Sequence, residues 1–495
     1  MSPSTTELNL SAVSSVPTGS TDLTTPKGYI NGHIFGVPAE ILCTIFIFSK
    51  SFPLLFDSDS PKRTKNLPGE VTISHVCKLW RSFALGLPQL WDDIQYSPSP
   101  APSTHARIRE CTIYAYLERS GTHALDIWLD FRNYGGNCFA YQHGPFQKIL
   151  QEAARWRGFT LLLDQFSGRH AHVHASLKEI YVPILESFVF YSKSRRPHTT
   201  TGTFLASTLF EPRILAGGAP VLKSIRLSSD NHFNYLPPLN QGLTTLRIDN
   251  HSRSIRRSTI SLDVLIPLLE IHSLRNLSIS GFDIPEVFSY QSIQAVVMEN
   301  LTELRCSSPN IASLFQYIHT PRLETLVLKS IDLPPLTPKS FPALTTLILF
   351  NCSVPWNVLS THKVSEKITH LAVSEKSGGT FHRDALEYFH SVENRWPHLE
   401  YLGLNIEAEP QLEFYREFAL LRYPFPLTLC IHQNLVNLWE IQSPERLRSV
   451  RYLCELRTWN DFSHLFPRNW PYEEDRKISG FNVVDYDPFE VISYH

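Results

Sequence analysis

The stretch "GRHAHVHAS" sets His170, His172 and His174 at every second position, so on a strand all three imidazoles would share one face. Two of them could share a zinc ion. No cysteine or carboxylate stands at ligand spacing beside them, so no metal site is expected and the run reads as a return between repeated units. The acid pairs of "FDSDS" and "DYDPFE" lack the glycine and the spacing of a calcium loop and read as plain loops. No nucleophile elbow, phosphate-binding loop, dinucleotide fingerprint or zinc-protease motif occurs. The chemistry-bearing residues therefore point to a non-enzyme without cofactors.

What remains is a chain built to bind. Its 495 residues exceed one ordinary core, which predicts two or more units. A net charge of −2 with 42% hydrophobic and 19% charged residues gives no electrostatic footprint for nucleic acid or an anionic membrane. The basic clusters "PKRTK" and "RSIRR" read as solvated loops. None of the eight cysteines stands at CxxC spacing, which fits reduced thiols in a cytoplasmic or nuclear protein. Residues 1–29 are rich in Ser, Thr and Pro, without the basic start and apolar run of a secretory signal, and read as a disordered leader. The longest apolar run, "ILCTIFIF" at 41–48, is too short to span a membrane.

Two short helices are expected in residues 30–96. Pro38 and Glu40 mark the start of the first, and Ile41, Leu42, Ile45 and Phe46 recur at helical spacing behind them. The second is expected from Ser74 to Leu85, with Val76, Leu79, Trp80, Phe83 and Ala84 on one face and Gly86 and Pro88 as the stop. So much Ile, Phe and Trp exceeds what two short helices can bury between themselves. A partner is the expected cover.

"VPAEILCTIF" followed by "SHVCKLWRSFALGLPQLWDDI" resembles the F-box. Pro38, Glu40, Ile41, Leu42, Ile45 and Phe46 match its first half. Val76, Cys77, Trp80, Arg81, Pro88, Leu90 and Trp91 match its second. Val37 replaces the usual leucine, and the long connector between the halves is similar to that of the expanded F-box families of mushroom-forming fungi, as is "AYLERSGTHALDIWLDF". The resemblance implies docking onto the Skp-type adaptor of a cullin-based ubiquitin ligase, through Val37, Pro38, Glu40, Ile41, Ile45, Phe46, Val76 and Trp80. Trp80 is expected to close the helix packing, and Trp91 to anchor the chain end.

From about residue 156 a signature L-x-x-L-x-L recurs. The clearest copies are "LKSIRL", "LTTLRI", "LRNLSI", "LTELRC", "LETLVL", "LTTLIL", "ITHLAV" and "LEYLGL", with "WRGFTL" and "LESFVF" as degraded earlier ones. Most of the intervals fall within the 20–29 residues of a leucine-rich repeat. The expected fold is α/β: a short helical F-box, then an irregular leucine-rich-repeat solenoid with a curved parallel sheet over 97–470, and a tail at 471–495. The asparagine-type ladder position is mostly missing, with only Cys352 fitting it, so uneven returns are expected.

Residues between the leucines should face the exposed side of the sheet. Their central column holds Arg226, Arg247 and Arg305, then Val327 and Ile348, with Phe350 and Tyr401 beside it. Such a surface would bind a target segment with an acidic or phosphorylated part and an apolar part. Two functions follow: a ubiquitin-ligase receptor holding adaptor and target, or a repeat scaffold that binds proteins without ubiquitination.

Overall fold

The structure, a computed structural model, describes residues 37–50, 69–96, 104–131, 144–164, 169–193, 213–228, 236–249, 258–259, 262–283, 296–307, 315, 317–329, 331, 341–350, 352, 366–375, 396–406, 412–422, 427–431 and 433–458. The leader, the connector with "FDSDS" and "PKRTK", "RSIRR" and the tail lie outside these residues.

Alternating leucines build the sheet. Leu246, Leu277, Leu304, Leu326, Leu347, Leu371 and Leu402 stand at the same register position on successive strands and are all buried. A strand with one apolar face cannot bury it alone, so each strand recruits the next. The result is a 14-stranded sheet whose strands lie in chain order, every neighbouring pair parallel. It begins with β1 (Asp93–Tyr96), β2 (Leu125–Phe131), β3 (Trp156–Asp164) and β4 (Ser187–Lys193). The clearest copies follow as β5 (Ser224–Ser228), β6 (Thr245–Asp249), β8 (Asn276–Ser280) and β11 (Glu303–Ser307). Then come β13 (Thr325–Lys329), β14 (Thr346–Phe350), β15 (His370–Glu375) and β16 (Tyr401–Ile406). The sheet ends with β17 (Thr428–Ile431) and β18 (Glu455–Thr458). Two short parallel pairs stand apart from it, β7 (Ser258–Thr259) with β9 (Phe282–Asp283), and β10 (Val296–Val297) with β12 (Ile318–His319).

The two residues between the first and second leucine of each copy also have a fixed task. In "LTTLRI", both Thr244 and Thr245 donate their amides to Lys223 O, at 2.8 and 3.0 Å. Arg275 and Asn276 do the same to Thr244 O, Thr302 and Glu303 to Arg275 O, and Thr369 and His370 to Thr345 O. Threonine hydroxyls reinforce this ladder, Thr302 to Arg275 O at 3.1 Å and Thr369 to Thr345 O at 3.2 Å. The paired backbone amides thus tie each copy to the one before it, whatever side chains stand there. Thr369→Val, which keeps the shape and removes the hydroxyl, should cost about 1 kcal/mol in denaturant unfolding.

One contiguous apolar cluster runs from Leu42 and Phe46 in the helical start to Leu447 and Cys454 near the last strand. Parallel strands added one after another extend a core instead of closing it, so length alone does not force a division. The sheet also begins inside the expected F-box segment, at β1. The histidine run lies in a helix, Arg169–Leu177, in the return between β3 and β4, where a return was expected. Among the described residues no cluster could hold a metal ion, and no helix is long and apolar enough to cross a membrane.

Candidate docking surfaces

Three short helices open the described chain. Pro38 is the N-cap of α1 (Ala39–Phe48), its carbonyl accepting the Ile41 and Leu42 amides at 3.1 Å, with Glu40 in the first turn. The expected second helix starts later than Ser74, and a further short helix precedes it. α2 (Gly69–Ser74) ends before His75, and α3 (Lys78–Leu85) starts only after Cys77. The break has a physical cause: Cys77 is extended (φ −156°, ψ 172°), and its Sγ accepts the Trp80 amide at 3.4 Å as an N-cap. Gly86 closes α3 as expected.

The apolar face of α1 is split. Leu42 and Phe46 turn inward, while Ile41 is 51% and Ile45 49% exposed and Phe48 is 83% exposed. Val76 is 57% exposed, and Leu79 and Ile47 are also on the surface. Val37 is half-buried, whereas Pro38 and Glu40 are exposed. One of the expected contact residues is corrected, and a second is partly covered. Phe46 is fully buried, and Trp80 is partly buried against it, their rings 4.9 Å apart. Both hold α3 on α1. Ile47, Phe48 and Leu79 are exposed beside them.

Trp91 meets its expectation. It is fully buried, and its indole N–H donates to Ala84 O at 2.8 Å, satisfying a carbonyl in the last turn of α3. Tyr116 meets it edge-on at 5.1 Å, and the Arg119 guanidinium lies 4.5 Å from its ring centre. Trp156 repeats the device, donating to Ile149 O at 3.2 Å in the helix Pro145–Gln151. An ion pair between Lys50 and Asp92, with Lys50 Nζ also donating to Gln89 O at 3.3 Å, ties the end of α1 to the start of the sheet.

The central column of the sheet lies on the face opposite the leucines, as the alternation requires, but it is not open. Arg226 and Arg247 are each 3% exposed and Arg305 is 1% exposed. Val327, Ile348, Phe350 and Tyr401 are buried too, and with Ala372 and Cys430 they form a second apolar cluster. The expected target surface is thus corrected to a buried one. Parallel sheets are commonly covered on both faces, and their strands then read as continuous apolar runs. "TLVL" and "TLIL" are such runs.

On this face Glu303 heads β11. Burial, and then the neighbouring Glu324, raise its carboxyl to about 7. Its folded value lies above its ordinary one, so the stability it contributes is whole below pH 4.5 and is lost as pH rises through 7. Glu303→Gln should equal the parent at pH 4 and exceed it at pH 8 by at most about 3 kcal/mol, measured by denaturant unfolding at both values.

Compared with models of protein families and with curated proteins, the chain matches none.

Proposed function

We propose that this chain is the substrate-recognition subunit of a Skp-cullin-F-box type E3 ubiquitin ligase, a non-catalytic receptor working in the cytoplasm or nucleus. The observation that carries this reading is the row of exposed Ile41, Ile45, Ile47, Phe48, Val76 and Leu79 on α1 and around the start of α3, with their neighbours Leu42 and Phe46 packed inward. A surface that apolar at the end of a folded core favours a protein partner. The F-box-like order of Pro38, Glu40, Ile41, Leu42, Cys77, Trp80 and Trp91 supports the adaptor as that partner. The repeats then carry a target, and tethering target and ubiquitin-carrying enzyme in one assembly raises their effective concentration. Because the arginine column is buried, target contact is assigned to no residue of it.

Co-expression with a Skp-type adaptor and a cullin tests the reading. Recovery of the three together supports it. Recovery of the chain alone leaves the rival, a repeat scaffold without a role in ubiquitination.

A further inference from the structure

A second surface opens on the other side of α3. A groove of about 600 Å³ runs between α2–α3 and α4 (Thr104–Arg119). Its apolar wall includes Leu85, 41% exposed, and Ile108, 57% exposed. Its polar wall includes Arg81, Arg119 and His75, and among the described residues none that lines it carries a carboxylate. Glu70 lies behind the wall, buried and accepting the hydroxyl of Tyr116. At about 100° per residue, Arg81 and Leu85 sit roughly 200° and 240° around α3 from Leu79. The groove is therefore separate from the surface assigned to the adaptor.

From this geometry we infer that the groove is a docking site for a peptide segment of a protein partner that combines acidic with apolar side chains. Charge complementarity carries the choice. Two guanidinium groups beside exposed Leu and Ile suit carboxylates flanked by apolar side chains, and a guanidinium can bind a carboxylate through two parallel hydrogen bonds. Arg81 keeps its place by donating Nε–H to Ser74 O at 2.8 Å, which leaves its two terminal nitrogens for such a contact. Arg119 is steadied by the Trp91 ring. Both cations are thus pre-set, which lowers the ordering cost of binding.

The test is selection from a randomised dodecapeptide library by the full chain, with parallel selection by Ile108→Asp. Ile108 is exposed, so this change sets a repelling charge at the groove without removing a core contact. Recovered peptides should be rich in Asp or Glu together with Leu, Ile or Phe. They should bind at least tenfold more weakly to Ile108→Asp and to Arg81→Ser, and should slow alkylation of the exposed Cys111 thiol on the groove wall. Adaptor capture, read on the same variants, should not change. Peptides without an acidic surplus, equal recovery by Ile108→Asp, or unchanged Cys111 reactivity would each overturn the proposal. Loss of adaptor capture in Ile108→Asp would overturn the separation of the two surfaces.

Discussion

Ile41→Asp combined with Ile45→Asp should weaken capture of a Skp-type adaptor at least about a hundredfold, while unfolding stays within about 1 kcal/mol of the parent. The two side chains are one turn apart on α1 and half exposed, so they contribute little to the core. At a dry contact each would become a carboxylate without a partner, and burying an unpaired charge costs several kcal/mol. Leu42→Asp would be a poor substitute, because Leu42 is buried and its loss would unfold α1 before it reported on docking. Undiminished capture by the double variant would show that the exposed row is not the contact.

Trp91→Ala should be the most destabilising single change in the helical start, at roughly 5 kcal/mol. The cavity and the lost contacts together account for about 3–5 kcal/mol, among them the hydrogen bond to Ala84 O and the Tyr116 edge contact. Trp80→Ala should cost about half as much, since Trp80 is only partly buried and its main aromatic neighbour is Phe46. Trp91→Phe, which fills most of the space without the N–H, should fall between parent and Trp91→Ala. Thermal unfolding of the three variants gives the order. A larger loss from Trp80→Ala would reverse the roles assigned to the two tryptophans.

The repeat strands were legible because a leucine every second residue leaves no other regular structure for the segment. Each clear copy of L-x-x-L-x-L supplies one strand, and the degraded copies "WRGFTL" and "LESFVF" begin β3 and contain the start of β4. The ends of the sheet were not read, although β2, "LDIWLDF", alternates strictly and β17, "TLCI", continues the pattern. Both lack the leading leucine that marked the other copies. The later start of the second helix was hidden because cysteine is not among the usual capping residues, and only its extended backbone lets Sγ reach the Trp80 amide. The arginine column misled for a general reason. Period two tells which residues share a face, but it does not tell what covers that face, and charge is ordinarily a sign of solvent. The groove beside α4 was out of reach for sequence reasoning. It depends on one face of α4 meeting α2 and α3 across chain separations that no local pattern records.

Hydrogen exchange on the purified full chain, alone and with purified Skp-type adaptor, tests adaptor docking most directly. The expected result is a one-to-one complex in which backbone amides of α1 and of the segment from Val76 into α3 become protected, while the repeat strands exchange as before. A chain that stays alone at concentrations where F-box contacts form, or protection that falls on the sheet and spares α1, would contradict it.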